Sequence, residues 1–258
     1  MKARKRFGQH FLHDEHVINR IIAGMAVTDS DHVVEIGPGH GALTEHLVVV
    51  NPALTVIEID RDLTPLLAAR FPSINIIHAD VLRVDLAQAL DPQRRWRFVG
   101  NLPYNISSPL LLKLAEFQRQ QPGTFVDGFF MLQREMAERV AAQPGTKAWG
   151  RLSVMMQVQF DIQHWFDVGP ESFDPPPRVW SSVIRICPHA EPLVTDTQVL
   201  RNLDKVVRAA FAGRRKTLSN SLRQLPLDWD SCEQPGNVRA DDVPLSGYLE
   251  LAQQLGAE

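Results

Sequence analysis

One stretch constrains the fold more than any other: His32-Val33-Val34-Glu35-Ile36 followed by Gly37-Pro38-Gly39-His40-Gly41 and an apolar helix beginning near Leu43. A strand, a glycine turn and a helix make a βα unit of the doubly wound kind, with backbone N–H groups collected at the helix start. Three more strands follow at spacings that suit such a sheet: Thr55–Asp60, Ile74–His78 and Arg97–Val99. Each is followed at its C-terminal end by a polar group, in turn Glu58, Asp80 and Asn101. The C-terminal edge is where open α/β sheets bind ligands, so these four βα ends converge on one site.

The spacing of the turn narrows the ligand. It reads G-x-G-x-G, whereas dinucleotide enzymes use G-x-G-x-x-G and set a pyrophosphate on the helix dipole. Acidic Glu35 sits just before the turn. S-adenosylmethionine has no pyrophosphate; it carries a zwitterionic amino acid and a cationic sulfonium, and an acidic strand end suits it better than it suits a phosphate. Gly37 and Gly39 would then line the cofactor, and Glu58, about 20 residues past the turn, would take both ribose hydroxyls. Asp80 is placed to accept from the adenine amine, and Val81 to offer an apolar face or a backbone N–H.

The fourth strand runs into Gly100-Asn101-Leu102-Pro103-Tyr104-Asn105. Asn and Pro are ordinary turn residues, and a plain strand-to-helix turn accounts for them when they are taken alone. The same residues can also grip an exocyclic amine on a planar base. The Asn101 carboxamide oxygen accepts one amine N–H, Pro103 fixes φ and aims a turn carbonyl, expected to be its own, at the other, and Tyr104 supplies a flat wall with a polar tip.

The net charge of −3 argues on its face against a nucleic-acid partner. Its distribution argues the other way. Lys2, Arg4, Lys5 and Arg6 crowd the start, and Arg201, Lys205, Arg208, Arg214, Arg215, Lys216 and Arg223 crowd one late segment, ahead of an acidic tail. Solvated helix faces are the plain reading of such runs, and phosphate contacts by Lys5, Arg6, Arg214, Arg215 and Lys216 are the functional one. Cys187 and Cys232 lie far apart, so neither a disulfide framework nor a zinc site is expected, and a reducing cytoplasm fits. The apolar run Leu47–Val50 is too short to span a membrane, and no apolar segment follows the basic N-terminus, so no membrane association is expected.

Organisation follows from periodicity. Val17, Ile18, Ile21, Ile22 and Met25 form one helical face, with Asp14 as N-cap. Val126–Leu132 is a fifth strand, and Ile162–Val168 with Val179–Ile186 should close a seven-stranded sheet, the seventh strand beside the fifth. Pro188–Thr197 reads as a linker. Beyond it Val199, Leu200, Leu203, Val206, Val207, Ala210 and Phe211 recur at helical spacing behind an Asp196 N-cap. The expectation is an α/β Rossmann-like methyltransferase domain over 1–188, with a basic arm at 1–12, and a small all-α domain over 189–258.

Several strings carry a more specific resemblance: Arg6-Phe7-Gly8-Gln9-His10-Phe11-Leu12, Gly100-Asn101-Leu102-Pro103-Tyr104-Asn105-Ile106-Ser107, Lys147-Ala148-Trp149-Gly150-Arg151-Leu152-Ser153-Val154, Phe173-Asp174-Pro175-Pro176-Pro177-Arg178-Val179 and Gly213-Arg214-Arg215-Lys216-Thr217-Leu218-Ser219-Asn220-Ser221-Leu222. In this order they resemble the rRNA adenine dimethyltransferases of the KsgA type over residues 1–225. The resemblance implies methylation of the N6 amines of two adjacent adenosines in a 3′-terminal hairpin of small-subunit (16S) rRNA. It also implies S-adenosylmethionine as donor, no metal, the 30S particle as partner, a monomer, and a role in late subunit assembly. It places His10 and Leu12 at the cofactor and makes Phe173 an aromatic that stacks on the target base opposite Tyr104. Two positions depart from the family pattern, His10 where Asn is usual and Trp149 where Tyr is usual. Three alternatives stay open: the large-subunit rRNA methyltransferases of macrolide resistance, a non-enzymatic assembly factor on the same fold, and a NAD-dependent oxidoreductase.

Overall fold

The computed structural model describes residues 10–213 and 215–256. Among these residues nine strands are formed: β1 (Phe11–Leu12), β2 (His32–Ile36), β3 (Thr55–Glu58), β4 (Asn75–His78), β5 (Trp96–Asn101), β6 (Phe125–Gln133), β7 (Phe160–Val168), β8 (Phe173–Asp174) and β9 (Ser181–Pro188). Seven of them make one sheet in the order β4-β3-β2-β5-β6-β9-β7, while β1 and β8 pair antiparallel on their own. From β2 to β6 the pairings are parallel, and β9 lies antiparallel beside β6. The seventh strand therefore lies beside the fifth, as the sequence suggests.

Strand order reverses between β2 and β5, because β3 and β4 build outward on one side and β6 on the other. At such a reversal the loops part and leave a crevice at the strand ends. The two strands also approach closely there. A Cβ on Gly100 would lie 2.5 Å from the Ile36 carbonyl oxygen, so only glycine fits that place.

Both sheet faces are covered, so β2 and β5 are buried along nearly their whole length. On one face Val33, Val56, Val99 and Phe129 pack with Ile18, Ile21 and Met25 of helix α1 (Glu15–Met25). Asp14 caps α1 by accepting from His16 N and Val17 N. On the other face Phe98 stacks on Phe125 at 4.8 Å and meets Phe117 edge-on at 5.8 Å. Each such fully buried ring contributes about 1.5–3 kcal/mol.

The N-terminal end of the strands carries a charge cluster that the sequence pattern does not announce. Arg97 on β5 donates to Asp127 on β6 through Nε at 2.8 Å and Nη2 at 2.9 Å. It also reaches Asp31 Oδ2 at 3.2 Å and the Met25 carbonyl at 2.7 Å. Arg185 on β9 adds a third cation–carboxylate contact, to Asp127 Oδ2 at 3.1 Å.

The chain forms two compact units, Met1–Ala137 with Asp161–Pro188, and Glu138–Phe160 with His189–Glu258. A single cut at 188/189 is thus corrected: the segment 138–160 packs with the later helices. Trp149 explains part of this. Its ring is 3% exposed and its indole N–H donates to the Val243 carbonyl at 3.0 Å. The indole fills a core position and satisfies its one polar atom, so Trp149 is a core anchor of the second unit. Around it pack α7 (Arg151–Gln157) and the buried stripe of α8 (Thr197–Ala210), Leu203, Val206 and Val207, with Tyr248 and Leu251 of α10 (Leu245–Gln254). Asp196 caps α8 through Gln198 N. The stretch around Leu218 gives a single helical turn, Leu218–Ser221.

Candidate active site

A cavity of about 260 Å³ opens at the C-terminal ends of β2, β3, β4 and β5. Its floor begins with the glycine turn. Gly37, Gly39 and Gly41 have φ of 67°, 60° and 86°, the left-handed region that side chains rarely tolerate. Gly39 also passes beneath a ring, since a Cβ there would lie 3.0 Å from the Phe11 side chain. Phe11 in turn packs against His40 at a centroid distance of 4.1 Å, and burial pushes the His40 pKa down.

Two buried carboxylates lie in this floor, and their hydrogen-bond partners are neutral. Glu35, 2% exposed, accepts from the Thr44 hydroxyl at 2.6 Å. Burial pushes its pKa up to about 7, with Glu58 adding to the rise. Glu58, 4% exposed, accepts from Gly39 N at 3.2 Å through one oxygen and from Asp60 N at 2.8 Å through the other. Burial raises its pKa as well. Glu58 therefore already tethers the glycine turn to the end of β3, and any ribose hydroxyl would share these oxygens. Asp80 holds its own turn through Leu82 N at 3.0 Å and borders the cavity with Val81. Buried acids beside Ile36, Ile57, Ile59 and Leu102 suit a ligand with a flat apolar body and cationic groups.

The Asn101 turn closes the opposite side. Asn101 Nδ2 donates to the His10 carbonyl at 2.8 Å. A carbonyl oxygen can only accept, so this bond fixes which way the carboxamide points and commits Oδ1 to the role of acceptor. Pro103 borders the cavity, but its carbonyl receives the Ile106 N–H and the Ser107 hydroxyl, each at 3.1 Å, at the start of α5 (Ser107–Gln120). The expectation that this carbonyl receives the target amine is corrected on that ground. Tyr104 is anchored by its hydroxyl to Ser181 Oγ at 3.1 Å, and burial raises its pKa.

His10 ties these parts together. Its ring stacks on Tyr104 at 5.6 Å, and Nδ1 lies 2.6 Å from the Pro175 carbonyl, which requires the proton on Nδ1 and leaves Nε2 as the other nitrogen. Leu12 also borders the cavity and pairs with Phe173 across β1 and β8. This pairing overturns the reading of Phe173 as a base-stacking aromatic. Phe173 is 3% exposed and packs into the core with Leu12 and Val168, so it does not border the cavity. Asp14 helps to seat its loop by accepting from the Ser172 hydroxyl at 2.8 Å.

Of the expected cofactor residues, His10, Leu12, Gly37, Gly39, Glu58, Asp80, Val81 and Asn101 all border one cavity. The sequence pattern gives no site role to Phe11, His40 or Ile59; an aromatic three residues before the helix cap Asp14 is the one signal for Phe11. Arg215 and Lys216 are exposed in the second unit, whereas Lys5, Arg6 and Arg214 lie outside the described residues.

The sheet order, the glycine turn with its buried acids and the oriented carboxamide define a methyltransferase of the seven-stranded Rossmann-like class. The family described as "Ribosomal RNA adenine dimethylase" matches residues 1–229. A relative from Hahella chejuensis, "Ribosomal RNA small subunit methyltransferase A", is 48% identical over 97% of this chain and 92% of its own length. The chain belongs to the ribosomal RNA adenine dimethylase family. Among solved structures, the 23S rRNA methyltransferase ErmE is 27% identical with a TM-score of 0.70, covering 95% of this chain and 99% of its own. A dimethyladenosine transferase from Plasmodium falciparum shares the fold at a TM-score of 0.76 and 23% identity, covering 94% and 96%.

Proposed function

We propose that the protein transfers methyl groups from S-adenosylmethionine to the N6 amines of two adjacent adenosines in a 3′-terminal hairpin of 16S rRNA, giving N6,N6-dimethyladenosine in the small ribosomal subunit. The observation that carries this reading is the orientation of Asn101, whose amide nitrogen is held by the His10 carbonyl so that Oδ1 is the acceptor at the cavity.

The donor set fits the cofactor. Gly37 and Gly39 give backbone close to it, Glu58 receives ribose hydroxyls, Asp80 receives the adenine amine, and Val81 and Ile59 border the ring. Glu35 adds negative charge below the turn. When bound, S-adenosylmethionine supplies an electrophilic methyl group on a sulfonium.

An adenine amine is a poor nucleophile because its lone pair is delocalised into the ring. Asn101 Oδ1 takes one amine N–H, and the Leu102 carbonyl, the turn's neighbour of the committed Pro103 carbonyl, takes the other. Two acceptors bias the nitrogen toward a tetrahedral shape and free its lone pair. Positioning and electrostatics thus do most of the catalytic work, with no strong base required. The target base must leave its stack at a cost of a few kcal/mol, and the Tyr104 wall offsets part of that. After the first transfer a single N–H remains, which one acceptor can hold.

Phosphate contacts from the arm (Lys5, Arg6) and the helical unit (Arg214, Arg215, Lys216) hold the RNA. The enzyme works as a monomer in the cytoplasm on 30S particles late in assembly. The test is methyl transfer from labelled S-adenosylmethionine to under-methylated small subunits, large subunits and naked rRNA in parallel, read by nucleoside mass spectrometry. N6,N6-dimethyladenosine in small-subunit RNA is the expected result. Label confined to large-subunit RNA would move the protein to the ErmE-like activity, and no transfer with cofactor still bound would leave a binding protein.

A further inference from the structure

Trp180 leads into β9 with its side chain exposed. The protein has five tryptophans. Trp96 and Trp149 are 6% and 3% exposed, Trp165 packs against Phe129, and Trp229 is partly buried against the core of the second unit, but Trp180 is 49% exposed. Its neighbour Val179 is 44% exposed, and Arg178 is exposed beside it. Contiguous exposed apolar surface bordered by polar residues marks contact sites, and tryptophan gives the largest stacking face.

The backbone beneath Trp180 is held on two sides. Its carbonyl accepts from Arg134 N at 2.9 Å, at the C-terminal end of β6. The next residue, Ser181, is 1% exposed and holds the Tyr104 hydroxyl at 3.1 Å. Trp180 is therefore one residue from a group that touches the aromatic wall of the active site, on the same sheet edge. Arg134, with a side chain 53% exposed, lies near Asp167 at 3.8 Å and stands at this edge with Arg178. An exposed indole two residues after the exposed Arg178, on backbone tied to Arg134, suits a single-stranded nucleic acid, whose bases stack and whose phosphates pair with arginine.

We propose that Trp180 is a stacking platform for a nucleotide flanking the target adenosine, with Arg178 and Arg134 holding the adjoining phosphates. This rests on the rRNA-methylating reading and adds a specificity-determining residue to it.

The experiment compares wild type, Trp180→Ala and Trp180→Phe on under-methylated 16S rRNA and on under-methylated small subunits. Trp180→Ala is expected to raise KM for RNA about tenfold, with a smaller change in kcat and the same KM for S-adenosylmethionine. Trp180→Phe is expected to keep most of the RNA affinity. RNA should also quench tryptophan emission more in wild type than in Trp180→Phe, the difference being the signal of Trp180. Three results would overturn the proposal: an unchanged KM in Trp180→Ala with equal quenching in wild type and Trp180→Phe, a defect on particles absent from naked rRNA (a protein contact), or equal losses in both variants with a lowered unfolding temperature. Failure of wild type to methylate either substrate would instead remove the underlying functional reading.

Discussion

The two ends of the parallel sheet treat buried charge in opposite ways. At the N-terminal end Asp127, with a side chain 2% exposed, is clamped by Arg97 and Arg185, and Arg97 shares its remaining donors with Asp31 and a backbone carbonyl. At the C-terminal end Glu35 and Glu58 are as deeply buried, yet among the described residues they receive hydroxyl and backbone N–H donors in place of cations. Burial therefore shows up as raised pKa values at that end. One end neutralises its charge internally and holds strands together; the other keeps acids short of cations, which a positively charged ligand can satisfy.

Removing charge should thus have opposite signs at the two ends. Asp127→Ala strands the Arg97 guanidinium and should cost about 3–5 kcal/mol in urea unfolding. Its folded fraction should still methylate at the wild-type kcat. A large fall in kcat with stability intact would break the separation between the ends.

Glu35→Gln should do the reverse. The Glu35 pKa is raised from 4.5 to about 7 on folding, so the stability it contributes is full below 4.5 and is lost as pH rises through about 7. Without cofactor, the wild type should therefore lose on the order of 2–3 kcal/mol across that window from this group. Glu35→Gln should be flatter between pH 4.5 and 7 and more stable than wild type at pH 8. A variant that is less stable at pH 8 would show that Glu35 has a compensating partner after all.

The smallest effect belongs to a surface outside both ends. Replacing Arg215 and Lys216 by alanine should reduce the log–log salt dependence of RNA binding by about 0.7 for each phosphate that is no longer neutralised, with unfolding unchanged. An unchanged slope would reduce these residues to a solvated face.

Local chemistry was legible in the sequence and long-range pairing was not. The glycine turn, the acid at the end of β3 and the Asn101 turn are set by neighbours a few residues away, as are the caps Asp14 and Asp196. All the described residues assigned to the cofactor meet in one cavity for that reason. Phe173 was misread because its burial depends on β8 pairing with β1, some 160 residues earlier in the chain. The Pro103 carbonyl was misassigned because the start of α5 claims it. The Arg97–Asp127 clamp depends on the β5–β6 register, which a bulge between Trp96 and Arg97 shifts, and no one-dimensional pattern reports that. Trp149 departs from the family pattern and fills a core, which the sequence does not report because only the three-dimensional structure pairs its indole with Val243.

The most direct test is single-turnover methyl transfer by Asn101→Ala with S-adenosylmethionine and under-methylated small-subunit rRNA both saturating, beside direct measurement of cofactor affinity. If the His10-oriented carboxamide acts on the amine, the rate falls about 10²–10³-fold while cofactor affinity stays within about tenfold and the unfolding midpoint holds. A rate near wild type, or a joint collapse of rate and cofactor binding, would contradict the role given to Asn101.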